Sequence, residues 1–186
     1  MNKVNLKNNK GFSLIELLVS IAIIVIVSGI VFFNQSGFNN NVLLENLAYE
    51  ISLTIRQAQS YGLQSRETGT GTDDFTAGYG VYFDLDNPDK LVLYLDEDKN
   101  HIYDYNSGED EVDSLKITSG SEITKLCAGL DCSARELSIS FIRPDPTAYI
   151  NKNNDSSEST GKITITSKKL EEKVISINRL GQISID

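Results

Sequence analysis

Apolar residues are distributed along this chain in two different ways. From Phe12 to Phe33 they run almost unbroken (FSLIELLVSIAIIVIVSGIVFF), and the only ionisable side chain in those 22 residues is Glu16. A helix of that length, at about 1.5 Å per residue, spans about 33 Å, the thickness of a bilayer's hydrocarbon core. Ile and Val lower intrinsic helix propensity, but in lipid the backbone must satisfy its own hydrogen bonds, and a helix does so. The next stretch, Asn34 to Asn41, is polar and poor in helix formers, with Gly29 and Gly37 as weak points, so a local loosening is expected there. From Val42 the apolar residues return at helical spacing: Leu44, Leu47, Ile51, Leu53 or Thr54, Ile55 and Ala58, with Glu45, Glu50, Arg56 and Gln57 on other faces. This predicts an amphipathic helix ending near Tyr61-Gly62, its stripe facing a core.

Beyond it the period changes to two. Tyr79 to Phe83 and Leu91 to Leu95 flank the turn cluster Asp86-Asn87-Pro88-Asp89 and read as a hairpin. Leu137 to Phe141 and Lys162 to Thr166 alternate cleanly, which predicts half-buried antiparallel strands. A last pair, Val174 to Asn178 and Gln182 to Ile185, turns through Leu180-Gly181. Arg66 to Ala77 and Lys152 to Gly161 read as loops. One long helix with antiparallel sheets is an α+β fold. The expected organisation is a head at 1–11, a membrane-spanning helix at 12–33, its amphipathic continuation at 34–62 and a β-rich domain at 63–186.

Charge sharpens the picture. The chain has 186 residues, 40% of them hydrophobic, and 17 basic against 26 acidic side chains, a net −9. That is the composition of one globular domain and argues against a nonspecific polyanion binder. Lys3, Lys7 and Lys10 put +3 on the head, so the remaining 14 basic and 26 acidic residues sum to −12. The lysines before the apolar run place the N-terminus in the cytoplasm and the residues after about Asn34 outside. An ordinary secretory signal has a shorter apolar region and a small-residue cleavage site, whereas Asn34, Gln35 and Ser36 follow this one.

Glu16 is the anomaly, because a carboxylate in an apolar span costs several kcal/mol unless it is protonated, snorkels or meets a cation. In its context, Lys10-Gly11-Phe12-Ser13-Leu14-Ile15-Glu16-Leu17-Leu18, the segment resembles the class III signal of type IV prepilins and type II secretion pseudopilins. The resemblance implies that residues 1–11 are a leader cut between Gly11 and Phe12 by a prepilin peptidase, which methylates the new amine of Phe12. It further implies that Glu16, the fifth mature residue, pairs with the N-terminal amine of a neighbouring subunit during assembly of a pilus or secretion pseudopilus. The pilin-like fold, a helical spine on antiparallel sheets, is implied with it. The order of the later elements, ending in Val174-Ile175-Ser176-Ile177-Asn178-Arg179-Leu180-Gly181-Gln182-Ile183, is similar to the GspH and FimT branch of minor pilins and pseudopilins.

Other residues suggest chemistry of their own. Asp96, Asp98, Asn100 and Asp104 stand where a calcium loop places its first, third, fifth and ninth ligands, although His101 replaces the usual glycine and Ser107 the usual closing glutamate. Glu109 closes such a loop only if the chain folds differently, and a solvated acidic turn is the blander reading. Cys127 and Cys132, outside the membrane, read as a small disulfide loop or as two free thiols. His101 is the only histidine, and no Ser or Cys sits in a nucleophile context, so no catalytic group is expected. Some FimT-like minor pilins bind DNA through C-terminal bases. Lys162, Lys168, Lys169, Lys173 and Arg179 are the counterparts available here, set against a charge of −13 on Phe12 to Asp145.

Overall fold

The structure, a computed structural model, describes residues 11–64, 77–104, 109–118, 120–153 and 157–186, with backbone alone for 33–40. The head lysines, most of the 66–77 loop, Ser107 and the middle of the 152–161 loop lie outside the described residues. The chain divides into two compact units, Met1–Asn39 and Asn40–Asp186, and one helix, α1 (Leu14–Leu63), contributes to both. The helical backbone runs through Asn34–Asn41 without the expected loosening. Gly and Asn cost at most about 1 kcal/mol each in a helix, against about 3 for the proline this stretch lacks.

In the first unit the apolar side chains from Leu14 to Phe32 are exposed, with a mean hydropathy of 2.9, long and apolar enough to cross a membrane. Water does not tolerate such a surface, so this helix requires lipid or other protein around it.

In the second unit α1 turns Leu44, Leu47, Ala48, Ile51, Ile55 and Ala58 into the core. Leu53 does not join the stripe; it is 65% exposed, and Thr54 is half-buried with its Oγ bonded back to the Glu50 carbonyl. The helix packs with two antiparallel five-stranded sheets. Among the described residues ten strands follow it: β1 (Gly78–Asp84), β2 (Lys90–Asp96), β3 (Glu111–Lys116), β4 (Glu122–Ala128), β5 (Asp131–Ala134), β6 (Glu136–Ile142), β7 (Asp145–Lys152), β8 (Thr160–Thr166), β9 (Glu172–Asn178) and β10 (Ile183–Ile185). One sheet has the order β3-β2-β1-β6-β7 and the other β10-β9-β8-β4-β5. The expected hairpin, the two alternating strands and the closing pair are present. β3, β4, β5 and β7 are additional, and their charged or proline-containing sequences (EVDSLK, DPTAYINK) hide the alternation.

Register decides what each face of the first sheet carries. Val81 lies opposite Leu93 and Ile139, which sets Val81, Phe83, Leu91, Leu93, Leu137, Ile139 and Phe141 toward the core. The intervening positions form the other face: Gly80 opposite Tyr94 and Ser140, Tyr82 opposite Ser138, and Tyr149 and Asn151 beyond them on β7. That second face was expected to meet solvent. Instead Tyr94, Asp96, Ser138, Ser140 and Asn151 are buried. The segment after β2 folds back over its own sheet and covers them.

Candidate functional site

Two regions carry candidate chemistry, and they lie in different units. At the N-terminal end, Gly11, Phe12 and Ser13 precede the helix and are exposed. The Gly11–Phe12 peptide bond is therefore outside the hydrogen-bonded ladder, and nothing lies within 4 Å of where a Cβ on Gly11 would stand. Ser13 starts the helix: its carbonyl accepts from the Glu16 and Leu17 amides at 3.1 and 3.2 Å, and its Oγ accepts from the Glu16 amide at 3.3 Å. The sequence Ser13-Leu14-Ile15-Glu16 is a capping box, in which a serine and an acid three residues on complement the orphan amides of a helix start. Glu16 thus sits in the first turn, where the helix dipole favours a negative charge.

The second region is the segment from Asp96 to Glu109. Asp98 Oδ1 accepts the Asn100 amide and Asn100 Oδ1 accepts the Ile102 amide, a pair of tight side-chain turns. Lys99 and His101 take left-handed backbone conformations, φ 64° and 67°. His101 therefore occupies the conformation that glycine provides in a calcium loop, at a cost of roughly 1–2 kcal/mol. Contacts with the sheet offset that cost. The imidazole stacks on Tyr149 with ring centroids 3.7 Å apart, its Nδ1 lies 3.1 Å from Ser140 Oγ, and its carbonyl accepts from Asn151 Nδ2. Tyr103 lies between Tyr82 and Tyr94, at 5.0 and 5.1 Å.

Three of the four expected ligand residues are linked by hydrogen bonds, and Glu109 lies beside Asp96 and Asp98. Asn100 and Asp104 are tied to one another, with Asn100 Nδ2 donating to both Asp98 Oδ2 and Asp104 Oδ2 at 2.9 Å. Carboxylate oxygens of Asp96, Asp98 and Glu109 instead lie within 4.8 Å of one another. Asp96 is fully buried and Glu109 is 9% exposed. Asp96 Oδ2 accepts the His101 amide and Glu109 Oε2 the Asp104 amide, while Asp96 Oδ1 and Glu109 Oε1 are buried without a hydrogen-bond partner among the described residues. Burial pushes the Asp96 carboxyl up to about 6, with the His101 amide opposing and Asp98 adding to the rise. Burial pushes Glu109 up to about 7, opposed by the Asp104 amide and reinforced by Asp96, Asp98 and Asp104. Glu109 was legible only as a conditional ligand, because its distance along the chain does not match a regular loop.

Asp96, His101 and Ser140 come together in a way that resembles a catalytic triad in composition alone. Asp96 Oδ2, at 3.6 Å, and Ser140 Oγ both approach the same nitrogen, Nδ1, so the ring cannot relay a proton between them, and Ser140 is fully buried. Burial lowers the His101 pKa, opposed by Asp98, so near neutral pH the Asp96 approach is a polar contact rather than an ion pair.

Cys127 and Cys132 form a disulfide across the β4–β5 hairpin. The C-terminal bases do not form one patch. Lys168 and Lys169 lie in the turn after β8, Lys173 in β9 and Arg179 in the turn after β9. A strand of 7 residues, about 23 Å, separates the two turns. Lys162 lies on β8 and Glu171 and Glu172 stand between the groups. The nucleic-acid reading finds no support here: phosphates are held by converging cations, and these diverge.

Residues 6–32 match the family model described as the prokaryotic N-terminal methylation motif. The chain therefore begins with a prepilin-type segment, and the match ends where the exposed apolar part of the helix ends. Neither the curated proteins nor the solved structures yield a match to this chain.

Proposed function

We propose that this chain is a structural subunit, a minor pilin or pseudopilin of the GspH and FimT kind, in a type IV pilus or a type II secretion pseudopilus. It enters the membrane by its apolar helix with the N-terminus in the cytoplasm. A prepilin peptidase cuts between Gly11 and Phe12 and methylates the Phe12 amine, and the retained helix joins a filament of related subunits. The observation that carries this reading is the coincidence of the methylation motif at residues 6–32 with a serine-capped helix whose exposed apolar part, Leu14–Phe32, holds one carboxylate, Glu16. An exposed Gly11–Phe12 bond ahead of the first helical turn suits proteolysis, because a peptidase binds extended backbone and a helix would have to unwind first. Assembly then follows from physics: apolar helices pack together, and a buried Glu16 is tolerated where the amine of a neighbouring Phe12 neutralises it.

The test separates processing from assembly. Glu16→Ala is expected to be cleaved and methylated as the wild type is, yet to be absent from sheared filaments or from the pseudopilus fraction. Normal incorporation of Glu16→Ala would sink the reading. An uncleaved Gly11→Val variant retained in the membrane would support the assigned cut.

A further inference from the structure

We propose that Asp96, Asp98 and Glu109 form a calcium site that clamps the segment after β2 onto the outer face of its own sheet. Three carboxylate oxygens within 4.8 Å of one another suit a single ion, because ligands at 2.3–2.6 Å on opposite sides of calcium are separated by about that much. Crowded acids alone would mean little. The second observation is that two of these acids are buried and each presents an oxygen with no hydrogen-bond partner among the described residues, Asp96 Oδ1 and Glu109 Oε1. Their other oxygens already accept the main-chain amides of His101 and Asp104. The unpartnered oxygens are thus the ones left for a ligand, and a buried polar atom without a partner costs about 1–3 kcal/mol.

The chemistry selects the ion. An all-oxygen set of two buried carboxylates and one exposed one, Asp98, is hard and anionic, which excludes thiophilic metals. Its irregular origin, from a strand end, a tight turn and the residues just before the next strand, suits the flexible coordination of calcium better than the rigid octahedron of magnesium. Asp96 closes β2 and Glu109 lies just before β3, where the Leu95 amide donates to the Asp110 carbonyl. An ion between them would tie the two ends of the covering segment together. This inference does not depend on whether the chain polymerises.

The experiment uses the full chain in detergent micelles. Thermal unfolding is followed in a chelator, in 10 mM calcium and in 10 mM magnesium, with terbium luminescence sensitised by Tyr94 and Tyr103 as a direct binding signal. Calcium is expected to raise the melting temperature by about 5 °C or more, with a Kd of about 0.1–1 mM, magnesium to do much less, and calcium to quench the terbium emission. Asp98→Asn, on the exposed ligand, is expected to keep the fold and lose both responses. Glu109→Gln is expected to lose the calcium shift while melting no lower than the wild type in chelator, because it removes a buried charge. The proposal is overturned if the wild type melts alike in calcium and chelator with no terbium signal, or if both variants keep the full calcium shift.

Discussion

The imidazole of His101 lies on the phenol ring of Tyr149, 3.7 Å away and within 6° of parallel. Through this stack the segment after β2 reaches across β1 and β6 to the far edge of the sheet. It holds a left-handed residue that is not glycine, and it covers the serines of β6. Removing one ring therefore has effects beyond one contact.

Tyr149→Ala is expected to lower stability by about 1–3 kcal/mol, the worth of an aromatic contact plus the apolar area it covers. Hydrogen exchange should accelerate at the amides of 99–104 before it does so in the β1 and β6 ladder. The same variant exposes the only histidine, so its pKa should rise toward the ordinary value of a free imidazole. An NMR titration of that single ring checks this, and an unchanged pKa would show that the stack does not shield it.

Stability should depend on pH in an unusual direction for an acidic protein. Asp96 and Glu109 are raised to about 6 and about 7, so between about pH 4 and pH 7 the folded state holds protons that the unfolded chain has released. Their stabilising contribution is full below about pH 4 and is lost as pH rises through 6 and 7. The groups around them act with them: Asp98 and Asp104 add negative charge, while Tyr94 and the neutral His101 supply none that compensates. Asp131, held down by Lys152, and Asp145, held down by the Thr147 amide, act in the opposite sense, but at lower pH. In chelator the melting temperature should therefore fall from pH 5 to pH 8, and a flat or rising profile would contradict the assignment.

Gly80 is the position where the packing of Tyr94 is most exposed to challenge. A Cβ there would collide with Cζ, Cε1 and the hydroxyl of Tyr94, the phenol end of a fully buried ring. Gly80→Ala should cost about 1–3 kcal/mol, the range for overpacking a filled interior. It should also disturb Tyr103, which packs on Tyr94, and near-ultraviolet circular dichroism of the tyrosines would report it.

What could be read along the chain was what depends on neighbours in sequence. The apolar run from Phe12, the stripe from Leu44 to Ala58, the two apolar runs flanking the turn cluster at 86–89 and the alternation in β6 and β8 are local patterns, and each became the expected helix or strand. The methylation motif was legible for the same reason, since the nine consecutive residues from Lys10 to Leu18 carry the signal. β3 and β7 were not, because an edge strand is held by the ladder of its partner and needs no apolar alternation of its own. Ser138 and Ser140 misled in the other direction. Polar residues alternating with Leu137, Ile139 and Phe141 imply a wet face, yet a distant segment covers it.

The chain's own order of residues determined a helix long and apolar enough for a membrane, the signal at its start and the α+β class, because hydrophobic period and helix capping act over a few residues. Tertiary structure alone decided that Glu109 comes beside Asp96 and Asp98. It also decided that His101 meets Tyr149 and that two carboxylates lie buried. Those outcomes depend on which strands pair and how the connection between β2 and β3 folds back, and the energy that fixes them comes from contacts between residues far apart in the sequence.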